Sequence, residues 1–108
     1  MARRLVRGDV YLCKFQSPDK QRPVLIMTRN SAIGHLATVT VAPITSTIRG
    51  VPSEVLLDAV DGMKGPCAVN LHNLVTIAQA RLVRRVTSLS VARLQEVCRA
   101  VRFSIECG

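Results

Sequence analysis

"DVYLCKF" (Asp9–Phe15), "SPDK" (Ser17–Lys20) and "RPVLIMT" (Arg22–Thr28) follow one another near the N-terminus, and their reading decides the fold class. The first segment sets Val10, Leu12 and Lys14 against Tyr11, Cys13 and Phe15, and its β-branched and aromatic content suits a pleated, half-buried surface. Ser17 to Lys20 is turn chemistry, so the third segment returns as the partner strand of a hairpin. Pro23 has no amide hydrogen to donate and belongs at the start of that strand or on an unpaired edge. Lys20, Gln21 and Arg22 crowd the entrance of this apolar run. A guanidinium held there sits on a stiff scaffold, which suits a site better than it suits solubility.

Further strands follow. "NSAIGHL" (Asn30–Leu36) is a loop by its Asn and Gly. "ATVTVAPIT" (Ala37–Thr45) is the next strand, with Pro43 marking where it leaves the interior of the ladder. "STIRGVPS" is a second loop, and Glu54–Leu57 a further strand. After "DAVDGMKGP" (Asp58–Pro66) come two short strands, "CAVN" and "LVTI", joined at "LHN" with His72 at the turn. "RLVRRVTSL" (Arg81–Leu89) ends the β-rich part, and short strands at this spacing predict a barrel or sandwich. From Ser90 the pattern changes: Leu94, Val97, Cys98, Val101 and Ile105 recur at the spacing of one helix face, with Ser90 as N-cap. Arg93, Arg99 and Arg102 fall on the opposite face, toward solvent or a partner.

The 108 residues suit a single domain, 1–108, with no internal repeat or linker. Fifteen Lys+Arg against seven Asp+Glu give a net charge of +8, which favours an anionic partner, nucleic acid first. No apolar run is long enough to span a membrane, and "MARRLVRGDVYL" lacks a signal-peptide core, so a cytoplasmic protein is expected. Cys13, Cys67, Cys98 and Cys107 are scattered without the pairing of a zinc site; thiols, no metal and no cofactor are expected.

The chain has no P-loop, dinucleotide fingerprint or metalloprotease helix motif, and its acidic residues are few. That leaves a metal-independent site, or a binding surface, made from Arg, Lys, Thr and Ser. "APITSTIRG" (Ala42–Gly50) supplies Thr45, Ser46 and Thr47 at a strand exit and then Arg49. Hydroxyls and amides there can hydrogen-bond phosphate oxygens, and Arg can do so bidentately; the same residues also make ordinary turns.

In combination, "RGDVYLCKF", "QRPVLIMTRN", "TVTVAPITSTIRG" and "NLVTIAQARL" resemble, in order and spacing, the MazF/PemK family of toxin–antitoxin endoribonucleases over nearly the whole chain. The resemblance implies a mainly β fold with a C-terminal helix, a small SH3-like barrel of the MazF/PemK/CcdB type. It implies metal-independent, sequence-specific cleavage of single-stranded RNA by attack of the ribose 2′-hydroxyl, leaving a 2′,3′-cyclic phosphate and a 5′-hydroxyl. The positions matching the family's catalytic arginine and threonine are Arg22 and Thr45, and substrate contacts are expected from Lys20, Gln21, Arg29, Ser46, Thr47 and Arg49. A homodimer and a MazE-like antitoxin, acidic where it meets the toxin, are the implied partners.

Arginine stays protonated to a pKa above about 12, so Arg22 acts through its charge and donors rather than as a base. An unperturbed Thr45 hydroxyl is no base either, and the residues name no proton acceptor. His35 and His72 fall in a loop and a turn and match no catalytic position. A CcdB-like gyrase binder is the competing reading, but the chain has no Trp and ends "SIECG" rather than in that family's Trp-Gly-Ile. A cleavage-deficient RNA-binding regulator is the third.

Overall fold

The computed structural model describes residues 5–15, 20–29 and 37–105. The turn at Ser17–Asp19 and the loop at Asn30–Leu36, with His35, lie outside them. Among the described residues lie seven strands, β1 (Asp9–Lys14), β2 (Gln21–Ile26), β3 (Thr38–Thr45), β4 (Glu54–Leu57), β5 (Cys67–Asn70), β6 (Val75–Ala78) and β7 (Leu82–Ser88), and one α-helix, α1 (Val91–Ser104). The architecture is the mainly β fold with a C-terminal helix expected from the sequence. All strand pairs are antiparallel, in the order β4-β5-β3-β2-β1-β7, and β6 also pairs with β3.

The hairpin is as expected: Val10 faces Leu25 and Cys13 faces Arg22. Alternation then sorts the side chains into two cores, because successive residues of a strand point to opposite faces. Val10, Leu25, Ala42 and Ile44 join Val55, Val69, Leu71, Val97 and Ala100 on the face covered by α1 and β4. Tyr11, Cys13, Val24, Ile26, Val39 and Val41 join Leu5, Ile77 and Leu82 on the other. Burial on both faces explains why Val24-Leu25-Ile26 reads as an unbroken apolar run.

One expectation is corrected at Pro43. β3 does not leave the ladder there: Pro43 stays opposite Val24, and Ile44 and Thr45 go on to pair with Val69 and Ala68 of β5. On the edge away from β2, β6 pairs with residues 38–41 and β5 with 44–45, so Pro43 falls in the gap between two partners. A residue without an amide hydrogen is tolerated where that edge has no strand to donate to.

α1 starts at Ser90, whose Oγ accepts from the Arg93 amide at 3.2 Å. Val97 and Ala100 are buried, but Ile105, expected on the same stripe, is 59% exposed because it lies one residue past the helix. Arg93 is also corrected. It is neither free in solvent nor reserved for a partner: Nε donates to Asp61 Oδ1 at 2.9 Å, and Nη1 to Glu96 Oε2 at 3.0 Å. Asp61 closes a single 3-10 turn, Ala59–Asp61, in which Asp58 Oδ1 accepts from the Val60 amide at 2.9 Å and Asp61 Oδ2 from the Asp58 amide at 3.0 Å. The Thr87 hydroxyl of β7 donates to the Asp61 carbonyl at 3.0 Å. Gly62 follows with φ 93°, and a Cβ there would collide with Thr87 Oγ1. The segment 58–66 is thereby clamped to both β7 and α1.

Burial alone would raise the Asp61 carboxyl, but hydrogen bonds from Arg93 and from the Asp58 amide, with the Arg93 charge, hold it below its ordinary value. A depressed folded value stabilises above the unfolded value, about 3.9, and that stabilisation is lost as pH falls through the folded one. Asp61→Asn is therefore expected to lower unfolding free energy by about 1–3 kcal/mol at pH 7. In urea melts the gap to the wild type should narrow at pH 3; an unchanged gap would count against this assignment. Gly62→Ala should cost about 2 kcal/mol or more at any pH, from the positive φ and the Thr87 contact.

Candidate active site

The β2–β3 register sets Ile26 against Val41, Leu25 against Ala42 and Val24 against Pro43. Arg22 lies two residues before Val24 and Thr45 two residues after Pro43, the last pair of this ladder. The strand ends open into a cavity of about 600 Å³ lined by both residues. Lys20, Gln21 and Ser46 line it too, so five of the eight expected site residues come together. Leu12, Ile44, Met63 and Val86 supply the apolar part of the wall.

Lys64 and Arg84 also line the cavity, and sequence reasoning missed both. Arg84 is opposite Leu12 in β1, at a register shift between Leu12 and Cys13 that leaves Val83 without a partner. Such bulges re-aim neighbouring side chains, and nothing in "RLVRRVTSL" announces one. Arg84 and Val86, two residues apart, share a face; which face could not be read from the sequence. Lys64 follows the clamped turn at Gly62, and its only sequence signal is its place between two glycines.

Among the described residues, the cavity wall therefore carries Lys20, Arg22, Lys64 and Arg84, all exposed, and no carboxylate. None of the four has an ion-pair partner among the described residues. Like charges gathered without counter-charge attract and hold an anion. Thr45 is half-buried, and its Oγ1 accepts from the Thr47 amide at 3.1 Å. With a lone pair so engaged, its O–H is left to donate into the cavity.

Three expected contacts lie outside the lining. Thr47 contributes through its backbone, orienting Thr45. The amides of Arg49 and Gly50 donate to the Glu54 carboxylate at 3.1 and 2.9 Å, which fixes that loop against β4. Arg29 lies beyond the opposite end of β2 from Arg22. His72 is also outside: its Nδ1 meets Ser53 Oγ at 2.6 Å, and its amide donates to Asn70 Oδ1 at 3.2 Å.

The family model for PemK-like, MazF-like toxins of type II toxin–antitoxin systems matches residues 6–105. The chain belongs to this family. Relatives of the MazF/PemK type include a probable endoribonuclease MazF2 of Mycobacterium tuberculosis, 37% identical over 94% of this chain and 98% of that protein. Endoribonuclease MazF3 of the same organism is 43% identical over 77% of this chain and 81% of its own length. Among solved structures, M. tuberculosis toxin MazF-mt6 superposes with a TM-score of 0.84 at 36% identity, covering 93% of this chain and 98% of that one. A mycobacterial endoribonuclease in complex with its cognate antitoxin superposes at 0.83 with 26% identity, covering 93% of each chain.

The MazF-like cavity has one thiol in its wall, Cys67. Burial raises its pKa, and the Asp61 and Asp58 charges raise it further. Cys13, in the second core, is also raised by burial, with Arg81 opposing. Iodoacetamide at pH 7.5 is accordingly expected to label half-buried Cys98 well before Cys67 or Cys13, as read by peptide mass mapping of the folded protein. Faster labelling of Cys67 would contradict the thiol state assigned to the cavity.

Proposed function

We propose that this chain is the toxin of a type II toxin–antitoxin pair, an endoribonuclease that cleaves single-stranded RNA in the cavity shared by Arg22 and Thr45. The observation that carries the reading is that both line one cavity, from the start of β2 and the end of β3, within a cationic wall. The relatives named endoribonucleases, at 37% and 43% identity, support it over a gyrase-binding or cleavage-deficient role.

The chemistry follows from the side chains. A phosphodiester enters with its non-bridging oxygens toward Arg22, which donates two N–H bonds, and toward the Thr45 hydroxyl, which donates a third. The ribose 2′-oxygen attacks phosphorus, the bond to the 5′-oxygen breaks, and negative charge builds on the oxygens these donors hold. The products are a 2′,3′-cyclic phosphate and a 5′-hydroxyl. One proton leaves the 2′-oxygen and one reaches the 5′-oxygen, so the balance closes through water. Among the described residues, the lining provides no carboxylate to hold a magnesium ion, whose ligands are oxygens. Lys20, Gln21 and Ser46 contact the flanking nucleotide. Aromatic residues make up 3% of the chain, so hydrogen bonding and charge read the substrate more than stacking does.

An acidic antitoxin segment suits the same wall, and the antitoxin-bound structure of a 26% identical relative supports such a partner. The toxin unit spans 1–108, acts in the cytoplasm and pairs with a second copy of itself. The exposed Val91 and Phe103 on α1 offer apolar surface for that pairing.

Purified protein incubated with long RNA in EDTA should cut it and leave 5′-hydroxyl ends. Arg22→Ala should slow cleavage about a hundredfold, the usual effect of losing one preorganised donor of a developing oxyanion. Thr45→Val should slow it by at least about tenfold. Thr47→Ala should stay within about twofold of wild type, because its contribution is a backbone amide. Intact RNA under these conditions, or full activity of Arg22→Ala, would refute the assignment.

A further inference from the structure

We propose that Lys64 and Arg84 form a second phosphate subsite, which grips the phosphodiester next to the scissile one. The proposal rests on the nuclease reading and deepens it.

Placement is the first argument. Arg84 faces Leu12 of β1, and Leu12 faces Pro23 of β2, so the Arg84 backbone stands two strand spacings, about 10 Å, from that of β2. Arg22 and Thr45 sit together at the β2–β3 side, whereas Lys64 and Arg84 come from a separate segment and the other flank of β1. A hydrogen bond spans about 3 Å, and the cavity of about 600 Å³ has room for more than a single phosphate.

Charge is the second. One phosphodiester brings a single negative charge, and four cations without ion-pair partners among the described residues face it. A second phosphate supplies the charge that the first leaves uncompensated.

Rigidity is the third. Lys64 follows a turn fixed by the Asp58–Asp61 cap, the Thr87 hydroxyl and the Arg93 guanidinium. Arg84 stands beside a bulge in a strand paired to β1. Both cations are presented from fixed backbone, as a subsite requires, rather than from a mobile loop.

The test uses an RNA oligonucleotide spanning one mapped cut. Each flanking phosphate is replaced in turn by an uncharged methylphosphonate, with 2′-O-methyl at that nucleotide in both test and control. For the wild type, one neighbouring position should raise KM about tenfold and leave kcat within about twofold. Lys64→Ala and Arg84→Ala should raise KM on the all-phosphate oligonucleotide by a similar factor and lose most of the response to the replacement. Lys64→Arg should restore it. The slope of log affinity against log salt should flatten by about 0.7 for each cation removed. Thermal melts confirm that the variants are folded.

A fall in kcat with KM unchanged would place the two cations at the reacting phosphate and overturn the proposal. Unchanged KM and salt slope would make them plain surface charges and overturn it as well. Absence of any wild-type cleavage overturns the nuclease reading instead. The subsite is then decided by binding alone: the salt-dependent affinity for the same long RNA, measured for the wild type and for Lys64→Ala, must still differ by that slope.

Discussion

Strand β3 is the constraint from which the rest of this molecule follows. It holds β2 on one edge along Val41–Pro43 and exchanges partners on the other, from β6 to β5, around Pro43. Because a one-residue slip would turn Val39 and Val41 out of one core and Ala42 and Ile44 out of the other, the register is fixed from both faces. That double restraint fixes where Thr45 emerges. Arg22, two residues before Val24 in the paired strand β2, lines the same cavity as Thr45.

The opposing wall is held by different means. The segment 58–66 has only a single helical turn of its own, yet Asp61 receives hydrogen bonds from Asp58 and Arg93 while its carbonyl receives one from Thr87. Removing any one of these leaves a charged or polar group without its partner, which costs more than the net worth of the bond. Asp61 is engaged by the Arg93 guanidinium and Asp58 by the Val60 amide, so neither forms an ion pair with Lys64 or Arg84.

What the sequence disclosed and what it withheld divide along physical lines. The hairpin, the strands and the capped helix were legible because alternation, turn residues and an N-cap serine are local signals. Arg22 and Thr45, picked out by their motifs, both line the cavity. Arg84 was not legible, since its facing depends on a bulge at Val83 that no residue pattern encodes. Arg93 was misplaced for a similar reason: the helical period puts it on the outer face, but a long guanidinium reaches sideways to Asp61, a residue 32 positions away in the chain. Arg49 lies outside the cavity lining, and its amide donates to Glu54, a contact no local pattern announces.

The unpaired cations also link catalysis, inhibition and stability. Like charges repel, so gathering cations in one wall without counter-charge raises the free energy of the empty site. On the proposed mechanism the same charges stabilise the oxyanion that forms as the 2′-oxygen attacks. An acidic occupant relieves the repulsion without offering a scissile bond. By mass action, a ligand at a hundred times its dissociation constant adds about 2.7 kcal/mol to the stability of the fold that binds it. Under the proposed function, inhibitor and substrate compete for the same charged wall.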